Sequence, residues 1–343
     1  MRADVLTTAD IAAGPLPAIE PVPGLVWAFR IPSDGNAESI NIEQPLDLRG
    51  DGLLWLHFNL ADQRADKWLA SADLDIPAMG RALLLSRDNF QQIHAADDCI
   101  YGVFSDLVRA IDTVTEETGY LHFAMTERLL VSGRHHALCA VDATRRVLES
   151  GQRIASAADL LETIVEHVAE TMERVAENVA TKLDTIEEKV LSDDDSDLRR
   201  DLGRLRRTCV RLHRQLSGLL LIFRRLDMQT ANAVKPGLRI RAGKFALRLD
   251  SLDHVVAEMR ERSRLLHEEL HLKIEEQTNK SIHLLSVLTA LLLPPTLVTG
   301  IFGMNTKGLP LTESEGGFLT AAVLIIASSA LAYFIMKRFG IVR

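Results

Sequence analysis

Asn305 offers the most distinctive chemistry in the chain, and Gly303 and Met304 immediately precede it. Its amide carbonyl is a neutral, hard oxygen acceptor. A ring of such groups could hold a hydrated divalent cation by its waters, which suits ions that dehydrate reluctantly. Gly303 frees the backbone beside it to present carbonyls, and Met304 reads as a packing residue. The tripeptide closes an uncharged stretch that begins at Ser281. At about 100° per residue from Asn279, the side chains of Ile282, Ser286, Thr289, Leu293, Thr296 and Gly300 fall within an arc of about 100°. Polar groups on a membrane helix favour a protein or water-lined surface over lipid. In several copies around an axis, the stripe would form hydroxyl rings, with Ile282 and Leu293 as apolar constrictions that gate by dewetting. Taken alone, such a stripe has a simpler account, because serine and threonine also pack helices together.

Glu275 and Asn279 share this face, with Glu268 and Arg264 further down it. An acidic ring at Glu275 would concentrate cations at an inner mouth; the alternative is a solvated charge paired to Lys280 or Arg264. His267, Glu268 and His271 match the HExxH pattern, in which two histidines on one helix face bind zinc and the glutamate acts as base. Peptide hydrolysis also needs a third ligand and a substrate cleft, and the sequence offers no candidate ligand, so no enzyme activity is expected. The pair is kept as a candidate metal site, with an ordinary amphipathic face as the default. His94, His122, His135 and His136 lack metal-ligand spacing and read as surface or packing residues. The acidic run from Asp193 to Asp197 reads as helix-capping chemistry. No glycine-rich phosphate loop supports ATP-driven chemistry.

The elements that position these residues follow from periodicity. Residues 1–23 are rich in Ala, Pro and Asp and read as a loose start. Residues 24–155 hold short aromatic or branched runs at Leu25, Leu53, Cys99, Tyr120 and Arg128 that read as strands, with helical segments from Ala65 to Ala70 and Pro77 to Leu85. This is an α/β domain with a largely buried sheet. Residues 156–236 read as two antiparallel helices, separated by the acidic turn and ended by Pro236-Gly237. A third helical pattern, residues 237–280, meets no strong breaker before Pro294-Pro295 and runs into the uncharged stretch 281–303. Residues 304–315 form a short polar loop, 316–336 a second apolar stretch, and 337–343 a basic tail. Each apolar stretch has about 20 residues, enough to cross a hydrocarbon core of about 30 Å as a helix.

The chain has 343 residues and a formal net charge of −8 from 39 basic and 47 acidic residues, nearly all before residue 281. That division implies a large polar body with a small membrane anchor and argues against a nucleic-acid partner, which normally meets a basic face. The first residues lack the apolar core of a signal peptide. Lys337, Arg338 and Arg343 after the second span, with Lys273 and Lys280 before the first, fit the positive-inside bias. Both termini are therefore expected on the cytoplasmic side. The three cysteines (Cys99, Cys139, Cys209) are scattered, with neither a disulfide framework nor a CxxC knuckle.

A Gly-Met-Asn tripeptide between two C-terminal spans resembles the CorA superfamily of divalent-cation transporters. The likeness covers the whole layout and is most specific at Gly300-Ile301-Phe302-Gly303-Met304-Asn305 and at Pro294-Pro295; the N-terminal domain is only generically similar. It implies a funnel-shaped homopentamer in a bacterial inner membrane, with a stalk helix leading into the pore, a Gly-Met-Asn selectivity motif, and the divalent cation as cargo with no cofactor. After the motif, many magnesium-transporting relatives carry an acidic Met-Pro-Glu-Leu-like segment. Here Thr306-Lys307-Gly308-Leu309-Pro310-Leu311 keeps the proline, lacks the glutamate and adds a lysine, and so looks closer to the ZntB zinc-transporter branch. The cargo implied is Zn²⁺, with Mg²⁺, Co²⁺ or Ni²⁺ as the alternative and protons as a coupling ion left open. Zinc normally prefers imidazole and thiolate, and the first span holds only His283, so the ion would pass substantially hydrated. From a different class, a membrane-anchored scaffold would use the two spans for attachment alone.

Overall fold

The computed structural model describes residues 21–96, 98–109, 114–191, 198–304 and 317–341. The chain divides into two compact units, Met1–Arg264 and Leu265–Arg343.

The first unit is built on a seven-stranded sheet: β1 (Leu25–Ile31), β2 (Glu38–Ile40), β3 (Leu53–Asn59), β4 (Gln92–Ala96), β5 (Cys99–Arg109), β6 (Val114–Met125) and β7 (Leu129–Arg134), in the order β2-β1-β3-β7-β6-β5-β4. All pairings are antiparallel except β3 with β7, where Leu56 meets Val131 in parallel register. β3 reads Leu-Leu-Trp-Leu-His-Phe-Asn and is buried from Leu53 to Phe58, as a strand covered on both faces should be. On one face Leu54, Leu56 and Phe58 pack with Ala65 and Leu69 of α1 (Gln63–Ser71) and Leu84 of α2 (Ala78–Leu84).

Alternation sends Trp55 and His57 to the other face. There Ser132 is a hub. Its Oγ accepts from Trp55 Nε1 at 2.9 Å and lies 2.8 Å from His57 Nδ1 and 3.4 Å from the Leu56 carbonyl. Arg134 Nε donates to His57 Nε2 at 3.2 Å, which places the ring proton on Nδ1 and the hydroxyl proton on the Leu56 carbonyl. Burial, and then the Arg134 charge, holds the His57 imidazole well below its ordinary pKa, so it stays neutral.

α3 (Cys139–Glu149) follows β7 without a side-chain cap of its own. Its first turn is held by Asp106 of β5, whose carboxylate accepts from Ala140 N at 2.8 Å and from its neighbour Leu107 N at 2.7 Å. Burial pushes this carboxyl up to about 7, against the two amide bonds that favour its ionised form.

α4 (Ala157–Leu191) and α5 (Leu198–Ala233) form an antiparallel pair, as the periodicity predicts, and α6 (Ala242–Phe302) packs its first part against both. Ion pairs fix the register. Lys244 with Glu166, Arg248 with Glu173, and Arg262 with Asp184 and Glu187 run in step along α4 and α6. Asp250 meets Arg224, and Asp253 meets His213 and Ser217, on α5. The acidic run Asp193 to Asp197 lies outside the described residues.

The sequence pattern shows neither β2 nor β4, and it assigns no helix to residues 139–149. α6 also passes through Pro294 and Pro295 without ending.

The second unit holds the remainder of α6 and α7 (Gly317–Arg338). Both have windows apolar enough to cross a membrane, with mean hydropathy 1.9 and 2.2.

Candidate functional site

The uncharged part of α6 presents two opposite faces. Val287, Leu291, Pro294, Pro295, Val298 and Phe302 are partly covered within the single chain, and on a helix of about 100° per residue they cluster on one side. Ile282, Ser286, Thr289, Leu293, Thr296 and Gly300 are all exposed and lie about half a turn away. The partly covered positions of α7 include Ala321, Ala322, Ser328, Ser329 and Ala332, small residues of the kind that let membrane helices approach closely. The stripe lies within a wider surface that the single chain leaves bare and is its polar part: Ile282 is 56% and Leu293 61% exposed, beside Leu285, Leu288 and Leu297.

Its hydroxyls have a defined polarity. Thr289 Oγ1 donates to the Leu285 carbonyl at 2.8 Å, and Thr296 Oγ1 to the Leu292 carbonyl at 2.7 Å. Each proton is committed to the helix itself, so the oxygen lone pairs remain available outward as acceptors. Pro294 and Pro295 bring no N–H, which also leaves the Ala290 and Leu291 carbonyls without their helical donors. Outward lone pairs suit a cation and repel an anion.

Gly300 opens a hollow of about 480 Å³ flanked by Leu293, Thr296, Leu297, Ile301 and Met304, and a Cβ added there would meet nothing within 4 Å. Gly303 closes the helix: its amide donates to the Thr299 carbonyl at 2.9 Å, and an added Cβ would stand 3.0 Å from that oxygen. Met304 is 53% exposed within the single chain. Asn305 lies outside the described residues, as does the loop after it.

Below the apolar stretch, Asn279, Glu275 and Glu268 are exposed. Lys280 pairs with Glu276 at 2.8 Å and Arg264 with Glu261 at 2.6 Å. Neither neutralises Glu275, which has no ionic partner among the described residues. His267 is half-buried and His271 exposed, and among the described residues no group of three or more His, Cys, Asp or Glu could hold a metal. The HExxH match therefore finds no third ligand there. Of the other histidines, His94 stacks on Tyr101, while His122 is fully buried.

An α/β unit, long charged helices and a terminal pair of helices apolar enough to cross a membrane give the layout of a membrane protein with a large polar body. The family profile described as CorA-like Mg2+ transporter protein matches residues 50–338, most of the chain, and the chain belongs to that family of divalent-metal transporters. It is 23% identical over 313 residues to the zinc transport protein ZntB of Enterobacter sp. (strain 638), covering 89% of this chain and 92% of that one. The fold is similar to the full-length CmaX protein, with TM-score 0.75, 23% identity and coverage of 92% and 97%. It is also similar to the CorA magnesium transporter of Methanocaldococcus jannaschii, with TM-score 0.66, 18% identity and coverage of 92% and 99%.

Proposed function

We propose that this chain carries Zn²⁺ across a bacterial inner membrane, through a central pore formed by several copies of α6. The observation that carries the reading is the bare stripe. A lone helix exposing Ser286, Thr289 and Thr296 to lipid would waste their acceptors. Around an axis, the same residues become stacked oxygen rings. The family resemblance supports a pentamer and the positive-inside bias supports cytoplasmic termini, and exposed Leu265 and Leu272 (51% and 67%) add apolar surface that a second copy would cover.

In this reading the ion enters at the uncompensated Glu275 ring on the cytosolic side or at Asn305 on the other. It keeps most of its water, exchanging outer contacts with amide, hydroxyl and carbonyl oxygens. Ile282 and Leu293 set the dry constrictions. The absence of cysteine from the first span supports passage of a hydrated ion over capture by soft ligands. Zinc is favoured by the segment after Asn305 and by relatives named for zinc transport; Mg²⁺ is the second reading, favoured by the family description.

The test is metal uptake by the purified full-length protein in liposomes, with Zn²⁺ and Mg²⁺ separately, wild type beside Asn305→Ala, across an imposed pH gradient. Zn²⁺ flux that depends on Asn305 supports the proposal, and its response to the gradient reports proton coupling. Mg²⁺ flux alone moves the chain to magnesium. No flux from an intact oligomer would overturn the pore and leave an anchored scaffold.

A further inference from the structure

A cavity of about 500 Å³ opens in the first unit at the carboxyl ends of β3 and β7, the parallel pair of the sheet. Leu60 and Ala61, which follow β3, form one wall, and His135 and His136, which follow β7, another. β6 contributes Thr118 and Tyr120, and the segment after α2 contributes Arg87 and Asn89. The volume falls in the usual range for small-molecule sites.

The wall is chemically one-sided. Guanidinium, amide, two hydroxyls and two imidazoles line it, and among its described residues there is no carboxylate. Thr118 Oγ1 already accepts from Gln215 Nε2, which leaves its own proton free to donate. Asp62, at the start of α1 nearby in sequence, is committed to Arg64 at 2.7 Å.

Behind His135 stands one further imidazole. The His122 ring packs edge-on against that of His135, with centroids 5.8 Å apart, and is fully buried. Its Nδ1 lies 3.2 Å from the Leu83 carbonyl, so the ring proton sits there. Nε2 is left as a buried lone pair with no partner among the described residues. A buried polar atom without a partner is costly.

We infer that this cavity binds a small phosphate-bearing anion. Arg87 supplies positive charge; His135, His136, Asn89, Thr118 and Tyr120 supply further donors. Six donors suit a tetrahedral oxyanion with many lone pairs better than a carboxylate. The space beyond one phosphate, walled by Leu60, Ala61 and the Tyr120 ring, admits an organic ester group. The inference stands apart from the transport reading and requires no metal.

Protons should follow the anion. Burial holds His135 and His122 below the ordinary histidine pKa; Arg87 and His136 lower His135 further, while Asp66 opposes them, and Asp88 opposes the shift at His122. An anion beside these rings raises both, so binding takes up protons and strengthens as pH falls.

The experiment is calorimetric titration of the full-length protein in detergent. Phenyl phosphate and inorganic phosphate are the probes at neutral pH, with sodium benzoate as the carboxylate control. Arg87 and His136 are exposed, so Arg87→Gln and His136→Gln should fold normally. Saturable phenyl phosphate binding, weakened at least tenfold by Arg87→Gln, is expected. Sulfate, a dianion throughout, should bind at least threefold tighter at pH 6 than at pH 8, and His135→Gln should flatten that dependence. No phosphate binding to wild type, binding indifferent to Arg87→Gln, or benzoate binding as tightly as phenyl phosphate would each overturn the assignment.

Discussion

Arg241 reaches Glu162 three times: its backbone amide donates to Oε1 at 2.5 Å, its Nε to Oε2 at 2.8 Å, and its Nη2 to Oε2 as well. The two residues differ sharply in burial. The Glu162 side chain is 5% exposed and that of Arg241 64%. The pair joins α4 to the start of α6, so it fixes where the long helix begins.

This asymmetry predicts unequal mutants. Arg241→Ala leaves a buried carboxylate with a single amide donor and should cost about 2–4 kcal/mol. Glu162→Ala leaves a solvated guanidinium and should cost roughly half as much. Unfolding followed by fluorescence of Trp27, Trp55 and Trp68, all in the first unit, would measure both. Stability lost in Glu162→Ala but not in Arg241→Ala would show that the link is governed by the backbone amide alone.

Ser132→Ala should be more damaging than the loss of one hydroxyl suggests. Trp55 Nε1 and His57 Nδ1 both donate to that oxygen inside a closed core. Two buried donors would be orphaned, at about 1–3 kcal/mol each. Ser132→Thr keeps the oxygen and should recover part of the loss; the same fluorescence assay decides.

Asp106 makes a pH signature. Its folded pKa is raised to about 7, above the unfolded carboxyl value. The folded state therefore holds more protons, and this group's stabilisation is complete below the unfolded carboxyl pKa of about 4 and is lost as pH rises through the folded one. Stability of wild type relative to Asp106→Asn should fall by at most about 1.4 kcal/mol per pH unit in that window. A difference that does not vary with pH would refute the assignment.

For transport, position around α6 should matter more than residue type. Thr296→Val keeps shape, removes the outward lone pairs from the bare stripe, and should cut metal flux in liposomes about tenfold, the size expected from losing one charge-facing hydrogen-bond partner. Thr299→Val, outside the stripe, should leave flux within a factor of about two. Parallel losses in both would sink the pore face.

Much of this is legible in the sequence because it is local. Helical periodicity of Leu160, Ile164, Val168 and Met172 reports α4 directly, and the Ser/Thr stripe between Asn279 and Gly300 is visible by counting residues. α3 is hidden because its cap comes from Asp106, 34 residues away, while buried Asp142 and Thr144 blur its apolar face. β2 is three residues long, and Gln92–Ala96 carries a single branched residue. The cavity at β3 and β7 reads in sequence as scattered histidines, since no local pattern announces a parallel pairing between strands so far apart. Pro294-Pro295 reads as a breaker in water, yet the helix carries it.

The parallel pairing of Leu56 with Val131 also sets a timetable. The centre of the sheet cannot close until β7 has been made, so its contacts are among the slow, long-range kind. At about 5–20 residues per second of synthesis, the roughly 150 residues between β7 and the first apolar stretch give this domain on the order of ten seconds to fold. The ribosome would thus hand the membrane a nascent chain whose sheet is already complete.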